Sequence, residues 1–133
     1  MIDSRTGNAR FGRAADPPPL HASRSPGEVQ SMIIGGDSAG PAIGIIPNAQ
    51  FKTTEVKVSP GDFFLFFTDG IIEVEASNGS QFGIEGLRES VRSNLDQPTE
   101  SLLDAIVRDV CKFGDSAVLT DDACLVAAEL SVN

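Results

Sequence analysis

The hydrophobic pattern is clearest in the second half of the chain. The run "FFLFF" (63–67) is apolar at five successive positions, which predicts a strand buried on both faces. Apolar residues at helical spacing over 83–95, and again from Thr99 to near Gly114, predict two adjacent amphipathic helices. Thr99 is the expected N-cap of the second helix. The apolar run "ACLVAAEL" (123–130) then predicts a closing strand.

Turn and loop residues organise the first half. Residues 1–15 predict a β-hairpin, because Gly7-Asn8 lies between two strand-like runs. Segment 16–29 holds four of the eight prolines, three of them in succession, and it predicts a loop. Four more segments complete the order: a short strand at 29–34, a Gly- and Pro-rich loop at 35–50, a half-exposed strand at 51–58 and a turn at 59–62.

This order of elements indicates an α+β fold. Several strands, two neighbouring helices and a last strand predict helices that cover a mostly antiparallel sheet. With 133 residues the chain is long enough for one domain at most. The buried strand and the two one-sided helices carry much apolar surface for that length. The pattern therefore predicts a part of a larger layered fold.

Composition narrows the function classes. Ten Lys+Arg against nineteen Asp+Glu give a net charge of −9, which repels a phosphate backbone and argues against nucleic-acid binding. No apolar run approaches the length of a membrane span, and the first ten residues lack the apolar core of a signal peptide. A cytoplasmic protein that binds no membrane is expected. Cys111 and Cys124 lack metal-site spacing, and Cys124 is expected to be a small buried hydrophobe.

Carboxylates at two strand ends are the candidate chemistry. Asp69 in "TDG" directly follows the run 63–67, and Asp121 and Asp122 directly precede the closing strand. Carboxylates without His or Cys are the ligands of hard cations such as Mg²⁺ and Mn²⁺, and such cations activate water for attack on phosphate. Asp-Gly is also a common turn dipeptide, and Asp-Asp is often solvated loop. The spacing alone leaves both interpretations open.

Several motifs in order resemble one enzyme family. They are "AIGI" (42–45), "PGD" (60–62), "TDG" (68–70) with Glu73 after it, "FG" (82–83) and the terminal "TDDACLVAAEL". The series resembles the SpoIIE/RsbU-like branch of the PPM-type metal-dependent serine/threonine phosphatases. The resemblance implies a partial PPM-type α-β-β-α sandwich with a two-metal centre between its sheets.

The same resemblance implies the site and the reaction. Asp69 and Asp121 would ligate metal with Asp122 beside them, and Glu73 would lie next to the direct ligands. Mn²⁺ or Mg²⁺ would orient a water for in-line attack on a phosphoserine or phosphothreonine. The implied substrates are phosphorylated signalling proteins such as anti-sigma-factor antagonists.

The chain also departs from the family pattern. The family's domain is close to twice this length, and its first half carries a metal-bridging Asp followed by glycine, which has no counterpart here. Residues 1–133 are therefore expected to be the C-terminal half of the domain, with weakly held metal and little activity alone. Relatives have "AGHPPPL" where this chain has "AADPPPL", so Asp16 replaces a histidine. Asp16 is expected to be a loop acid, and His21, the only histidine, a solvated loop residue.

A non-enzymatic alternative stays open. A half-sandwich would expose apolar surface, and such surface is usually an interface. The chain would then be a regulatory or assembly module that binds a partner protein or forms a homodimer over the face of "FFLFF".

Overall fold

The computed structural model describes residues 1–3, 5–15, 17–33, 40–115, 119 and 122–131. Within them the strands are β1 (Ile2–Asp3), β2 (Asn8–Gly12), β3 (Leu20–Ser23), β4 (Glu28–Ser31), β5 (Thr53–Lys57), β6 (Phe63–Phe67) and β7 (Leu125–Glu129). The helices are α1 (Asp69–Ile72), α2 (Gly83–Ser93) and α3 (Thr99–Phe113). No helix in the described part of the chain is long and apolar enough to cross a membrane.

The strands form two antiparallel sheets. The smaller sheet has the order β1-β2-β5 and the larger has the order β4-β3-β6-β7. Every pairing between these strands is antiparallel. In the larger sheet Leu65 lies opposite Leu20 on one side and Ala127 on the other. The predicted mostly antiparallel architecture is therefore confirmed.

Side-chain alternation along β6 separates the layers. Phe63 and Leu65 are fully buried in the cluster that contains the apolar stripes of α2 and α3. Phe64, between them, joins a second cluster with Ala9 of β2 and Val58. Because successive strand residues point to opposite faces, the helices cover one face of the larger sheet and the smaller sheet covers the other. This α-β-β layering confirms the α+β fold class.

The two long helices lie where their periodicity predicts. Their fully buried side chains recur at helical spacing and are Leu87, Val91, Leu102, Ile106 and Val110. The expected role of Thr99 as N-cap is wrong. Pro98 occupies the N-cap position of α3, and no side chain caps this helix. Thr99 is the first helical residue, and its hydroxyl pairs with the Glu129 carboxylate of β7 instead.

Strand β3 lies inside the segment predicted to be a loop. Prolines deny donors only at their own positions, and Leu20 follows the last of them. The Pro19 carbonyl even accepts a hydrogen bond of 2.8 Å from the Met32 N–H. Leu20 and Ala22 are fully buried, whereas His21 points to the opposite face of the sheet. A strand of only four residues directly after three prolines is too short for its alternating burial to be recognised in the sequence.

Two exposures differ from the sequence prediction. The strand β6 is not buried throughout, because Phe66 is 48% exposed. Cys124, expected to be buried, is exposed, because it precedes β7, an edge strand that has no neighbour on one side among the described strands. The hairpin at 1–15 and the turn at 59–62 are confirmed, the latter with Gly61 at φ 87°. Asp16 lies outside the described residues.

Candidate metal centre

Asp69 lies at the end of the central strand β6. Thr68 is extended there (φ −92°, ψ 163°) and is the N-cap residue of the short helix α1, which begins at Asp69. The Asp69 side chain is exposed, and its Oδ1 accepts a hydrogen bond of 3.0 Å from the Gly70 N–H. Ile71 is buried in the main core and so anchors this helix. The strand and the buried isoleucine thus present Asp69 to solvent from a fixed backbone.

The side chain of Thr68 connects this turn to the segment before β7. Its Oγ1 donates to the Asp122 carbonyl oxygen at 3.1 Å and accepts from the Cys124 N–H at 3.0 Å. The Thr68 N–H also donates to the Cys124 carbonyl oxygen at 3.2 Å. The segments that carry Asp69 and Asp122 therefore lie against each other.

Gly70 allows a close approach of these two segments. A Cβ at this position would lie 2.8 Å from the Asp122 carbonyl oxygen, which is closer than real Cβ contacts. Gly70 is buried and helical, and it is not among the described glycines with positive φ. The glycine of "TDG" is thus required by the contact with the Asp122 backbone rather than by turn geometry.

Two of the three predicted metal ligands lie on segments that are in contact with each other. Asp69 and Asp122 are both exposed on adjoining segments. Asp121, the other predicted ligand, lies outside the described residues. Within the residues that the structure describes, no group of three or more His, Cys, Asp or Glu could hold a metal ion. Two carboxylates fit the oxygen preference of Mg²⁺ or Mn²⁺, but they leave most ligand positions to water or to other groups.

Glu73 contacts the site through its backbone. It follows α1 directly, its side chain is exposed, and its N–H donates to the Asp69 carbonyl oxygen at 2.9 Å. This bond closes the single helical turn that begins with Asp69. The predicted place of the Glu73 carboxylate beside metal ligands stays a prediction.

A second polar pair lies at the opposite end of β6. His21 Nε2 is 3.0 Å from Asp62 Oδ2, and the two side chains are 12% and 6% exposed. The imidazole stacks on Phe64 with ring centroids 4.9 Å apart. His21 is therefore not the solvated loop residue that the prolines indicate. His21 lies on β3 with its side chain toward the smaller sheet, and the prolines before it conceal this strand in the sequence.

A cavity of about 310 Å³ lies beside this pair. It is lined by residues of both sheets, namely His21, Ser23, Glu28, Gln30, Met32, Val56 and Lys57. Ser23 pairs with Glu28, and Ala22 pairs with Phe63 at the start of β6. The cavity is thus at the far end of β6 from Asp69.

The fold is that of PP2C phosphatase domains. The structure is similar to the SiaA-PP2C domain of Pseudomonas aeruginosa, with a TM-score of 0.75 and 23% identity over 98% of this chain and 49% of that one. It is also similar to the phosphatase domain of SpoIIE from Bacillus subtilis, presoaked with Mn, with a TM-score of 0.71 and 15% identity over 100% of this chain and 55% of that one. These similarities define a PPM-type serine/threonine phosphatase fold.

The sequence defines the family within that class. Residues 1–131 match the family described as Stage II sporulation protein E (SpoIIE), and the chain belongs to this family. It is also 31% identical over 90 residues to Protein IcfG of Synechocystis, a match over 68% of this chain and 14% of that protein. The chain thus spans about half of the SiaA and SpoIIE phosphatase domains and a small part of IcfG.

Proposed function

We propose that this chain contributes part of the metal centre of a metal-dependent phosphoprotein phosphatase, and that residues 1–133 are the C-terminal half of its catalytic domain. The observation that supports this proposal most is the contact of Thr68 and Gly70 with the backbone at 122–124, which brings Asp69 beside Asp122. The family match and the half-length coverage of the related domains also support it.

The metal ligands from this chain are Asp69, Asp121 and Asp122. Their carboxylates suit Mn²⁺ or Mg²⁺, and a cation of this kind supplies an activated water and neutralises charge on a phosphate. The role of the chain is to hold Asp69 after β6 and Asp122 before β7, where the contacts of Thr68 and Gly70 join the two segments. A segment outside these residues supplies the remaining ligands, so the chain alone has little activity.

The proposed substrate is a phosphoserine or phosphothreonine of a signalling protein, such as an anti-sigma-factor antagonist. One solved structure of similar fold contains the RsbU and RsbW domains of a Mycobacterium tuberculosis protein, with a TM-score of 0.73 and 21% identity over 99% of this chain and 36% of that one. The net charge of −9 repels the phosphate group of such a substrate. A cation held by the acids would offset this repulsion at the site.

Metal titration of single-residue variants tests the proposal. Asp69→Asn and Asp122→Asn are expected to weaken Mn²⁺ binding at least about tenfold, or about 1.4 kcal/mol, because each removes a charged oxygen ligand. Isothermal titration calorimetry with Mn²⁺ measures this change. Asp104→Asn is the matched control, since Asp104 is an exposed acid in α3, and it should bind Mn²⁺ like the unaltered chain.

Hydrolysis of p-nitrophenyl phosphate with Mn²⁺ is the companion assay. Turnover above a metal-only blank, lost in Asp69→Asn and Asp122→Asn but kept in Asp104→Asn, would show catalysis by the chain itself. No Mn²⁺ binding at millimolar concentration, or equal affinity in all four proteins, would contradict the proposed metal site.

The alternative function is a non-catalytic module that binds a partner or a second copy. The exposed pair Phe66 and Val126 favours it, because these residues are opposite each other in β6 and β7 and so share a face of the sheet. An apolar cavity of about 120 Å³, lined in part by Phe66, continues this face toward Met1 and Ile2. The oligomeric state of the chain tests this alternative.

A further inference from the structure

Thr68 is the residue that joins the two candidate ligand segments. Its hydroxyl forms two hydrogen bonds to the segment before β7: it donates to the Asp122 carbonyl oxygen and accepts from the Cys124 N–H. We infer that Thr68 is a positioning residue, which sets the distance between the Asp69 and Asp122 carboxylates and so determines cation affinity. This inference rests on the metal site proposed above.

The position of Thr68 in its own helix supports this role. An N-cap threonine normally accepts a hydrogen bond from an N–H in the first turn of its helix. At α1 no such side-chain bond is formed, although Thr68 is the N-cap residue. The hydroxyl is instead directed to a segment 54 and 56 positions away in sequence. Its contribution is therefore to connect the two segments rather than to cap the helix.

Contacts on both sides of Asp69 make the connection specific. Thr68 precedes Asp69 and bonds to Asp122 and Cys124, and Gly70 follows it in close contact with the Asp122 carbonyl. The backbone of Asp69 is thus held relative to Asp122 from both neighbouring positions. We call these contacts of Thr68 and Gly70 the Thr68 clamp.

The Thr68 clamp lowers the cost of bringing two like charges together at a cation. Without it, the two backbone segments that carry the carboxylates must also be ordered when the cation binds, and that ordering reduces affinity. Two hydrogen bonds of ordinary net strength correspond to roughly a tenfold or larger change in a binding constant. Replacement of the hydroxyl by a methyl group of similar size should remove this contribution while the shape is kept.

Three variants of the whole chain test the inference. Thr68→Val removes the hydroxyl, Thr68→Ser retains it, and Thr53→Val is a control at an exposed threonine of β5. Mn²⁺ titration followed by paramagnetic broadening of the Gly70 and Ala123 amide signals reports on both segments, even when binding is weak. Hydrogen exchange of the Cys124 amide, measured without metal, reports on the clamp alone.

In the unaltered chain the two amide signals should broaden at the same Mn²⁺ concentration. Thr68→Val should need about tenfold more Mn²⁺ and should exchange its Cys124 amide faster. Thr68→Ser should be within about twofold of the unaltered chain in both measurements, and Thr53→Val should match it.

The remaining outcomes separate the inference from the proposed function. Unchanged Mn²⁺ affinity in Thr68→Val, with faster Cys124 exchange, would overturn the positioning role although the clamp exists. Unchanged Cys124 exchange in Thr68→Val would overturn the clamp itself. Absence of Mn²⁺ broadening in the unaltered chain would remove the metal site, and the positioning role with it, while the exchange data would still decide the clamp.

Discussion

At the scale of single residues, Asp62, the acid of the "PGD" motif, has a structural role. Its Oδ2 accepts a hydrogen bond of 3.0 Å from the Ser59 N–H and lies 3.0 Å from His21 Nε2. A carboxylate only accepts, so the imidazole is the donor. The same oxygen therefore closes the turn at 59–62 and connects that turn to β3.

Removal of this carboxylate should destabilise the fold. We expect Asp62→Ala to lower the free energy of unfolding by about 1–3 kcal/mol, because it leaves the part-buried donors on Ser59 and His21 without their acceptor. Urea denaturation measures the change. Asp96→Ala, at an exposed acid, is the control and should stay within about 0.5 kcal/mol of the unaltered chain.

A double-mutant cycle isolates the pair itself. Asp62→Ala and His21→Ala, singly and together, should give a coupling free energy of about 1 kcal/mol or more, since the two side chains touch. Additive effects would mean that the 3.0 Å contact contributes nothing and that Asp62 acts through the turn alone.

At the residue scale, a local motif predicted where Asp69 and Asp122 lie along the chain, whereas their role as metal ligands stays a prediction. Asp69 and Asp122 were named from their places at strand ends, and the structure brings their segments together. Thr68 and Asp62 were missed as structural residues, although "TDG" and "PGD" were both noticed. Their partners are 54 and 41 positions away, and no local pattern of apolar and polar residues carries contacts of that range.

At the scale of elements, Arg24 connects the sheet to the helices. It lies in the turn between β3 and β4, and its guanidinium donates to the carbonyl oxygens of Leu95 and Gln97, the latter at 2.7 Å. It also donates to Thr99 Oγ1 at 2.9 Å and lies 5.3 Å from the centre of the Phe63 ring. One side chain thus fixes the connection between α2 and α3 against the larger sheet.

Loss of these bonds should weaken the docking of both helices. Arg24→Met keeps the apolar part of the side chain but leaves carbonyl oxygens without a charged donor, so we expect a loss of about 2–3 kcal/mol in unfolding free energy. Arg24→Lys should recover only part of it, because an ammonium cannot reproduce the planar set of donors. Thermal and urea unfolding measure both variants.

Arg92→Met is the matched control for this prediction. Arg92 pairs with Glu89 on the exposed side of α2 at 2.6 Å, and such surface pairs contribute about 0.5 kcal/mol or less. Equal unfolding midpoints for Arg24→Met and Arg92→Met would contradict the anchoring role of Arg24.

The elements with the strongest hydrophobic periodicity or the clearest boundaries were the ones that the sequence predicted. The helices α2 and α3 repeat their apolar stripe over three or more turns, and β5, β6 and β7 are bounded by turns or end in characteristic motifs. The strand β3 has four residues and one full alternation, and the prolines before it indicated a loop. The helix α1 was not predicted, since its single turn depends on the burial of Ile71 rather than on periodicity.

At the scale of the whole molecule, the larger sheet has an uncovered apolar area on the side of the smaller sheet. Phe64 is covered there, but Phe66 and Val126, further along β6 and β7 toward Asp69, are 48% and 51% exposed. The related SiaA and SpoIIE domains are about twice the length of the part matched here. We therefore expect this area to be covered either by a further segment or by a second copy.

Self-association of the isolated chain should respond to salt in a defined way. A net charge of −9 opposes a homodimer at low ionic strength, whereas burial of Phe66 and Val126 favours it. Added salt screens the repulsion, since the Debye length falls to about 3 Å at 1 M. We expect sedimentation velocity at micromolar concentration to show more dimer as salt rises, and an interface held by ion pairs would show the opposite trend.

A charged residue introduced at Val126 tests whether the uncovered apolar area is the homodimer interface. Val126→Glu should keep the chain monomeric at every salt concentration, because dimer formation would bury an unpaired carboxylate. Val107→Glu, at a partly exposed valine of α3, is the control and should dimerise like the unaltered chain. A monomeric mass for the unaltered chain at high salt would exclude the homodimer. In that case we would expect a further segment of the phosphatase domain or a different protein to cover the apolar area of Phe66 and Val126.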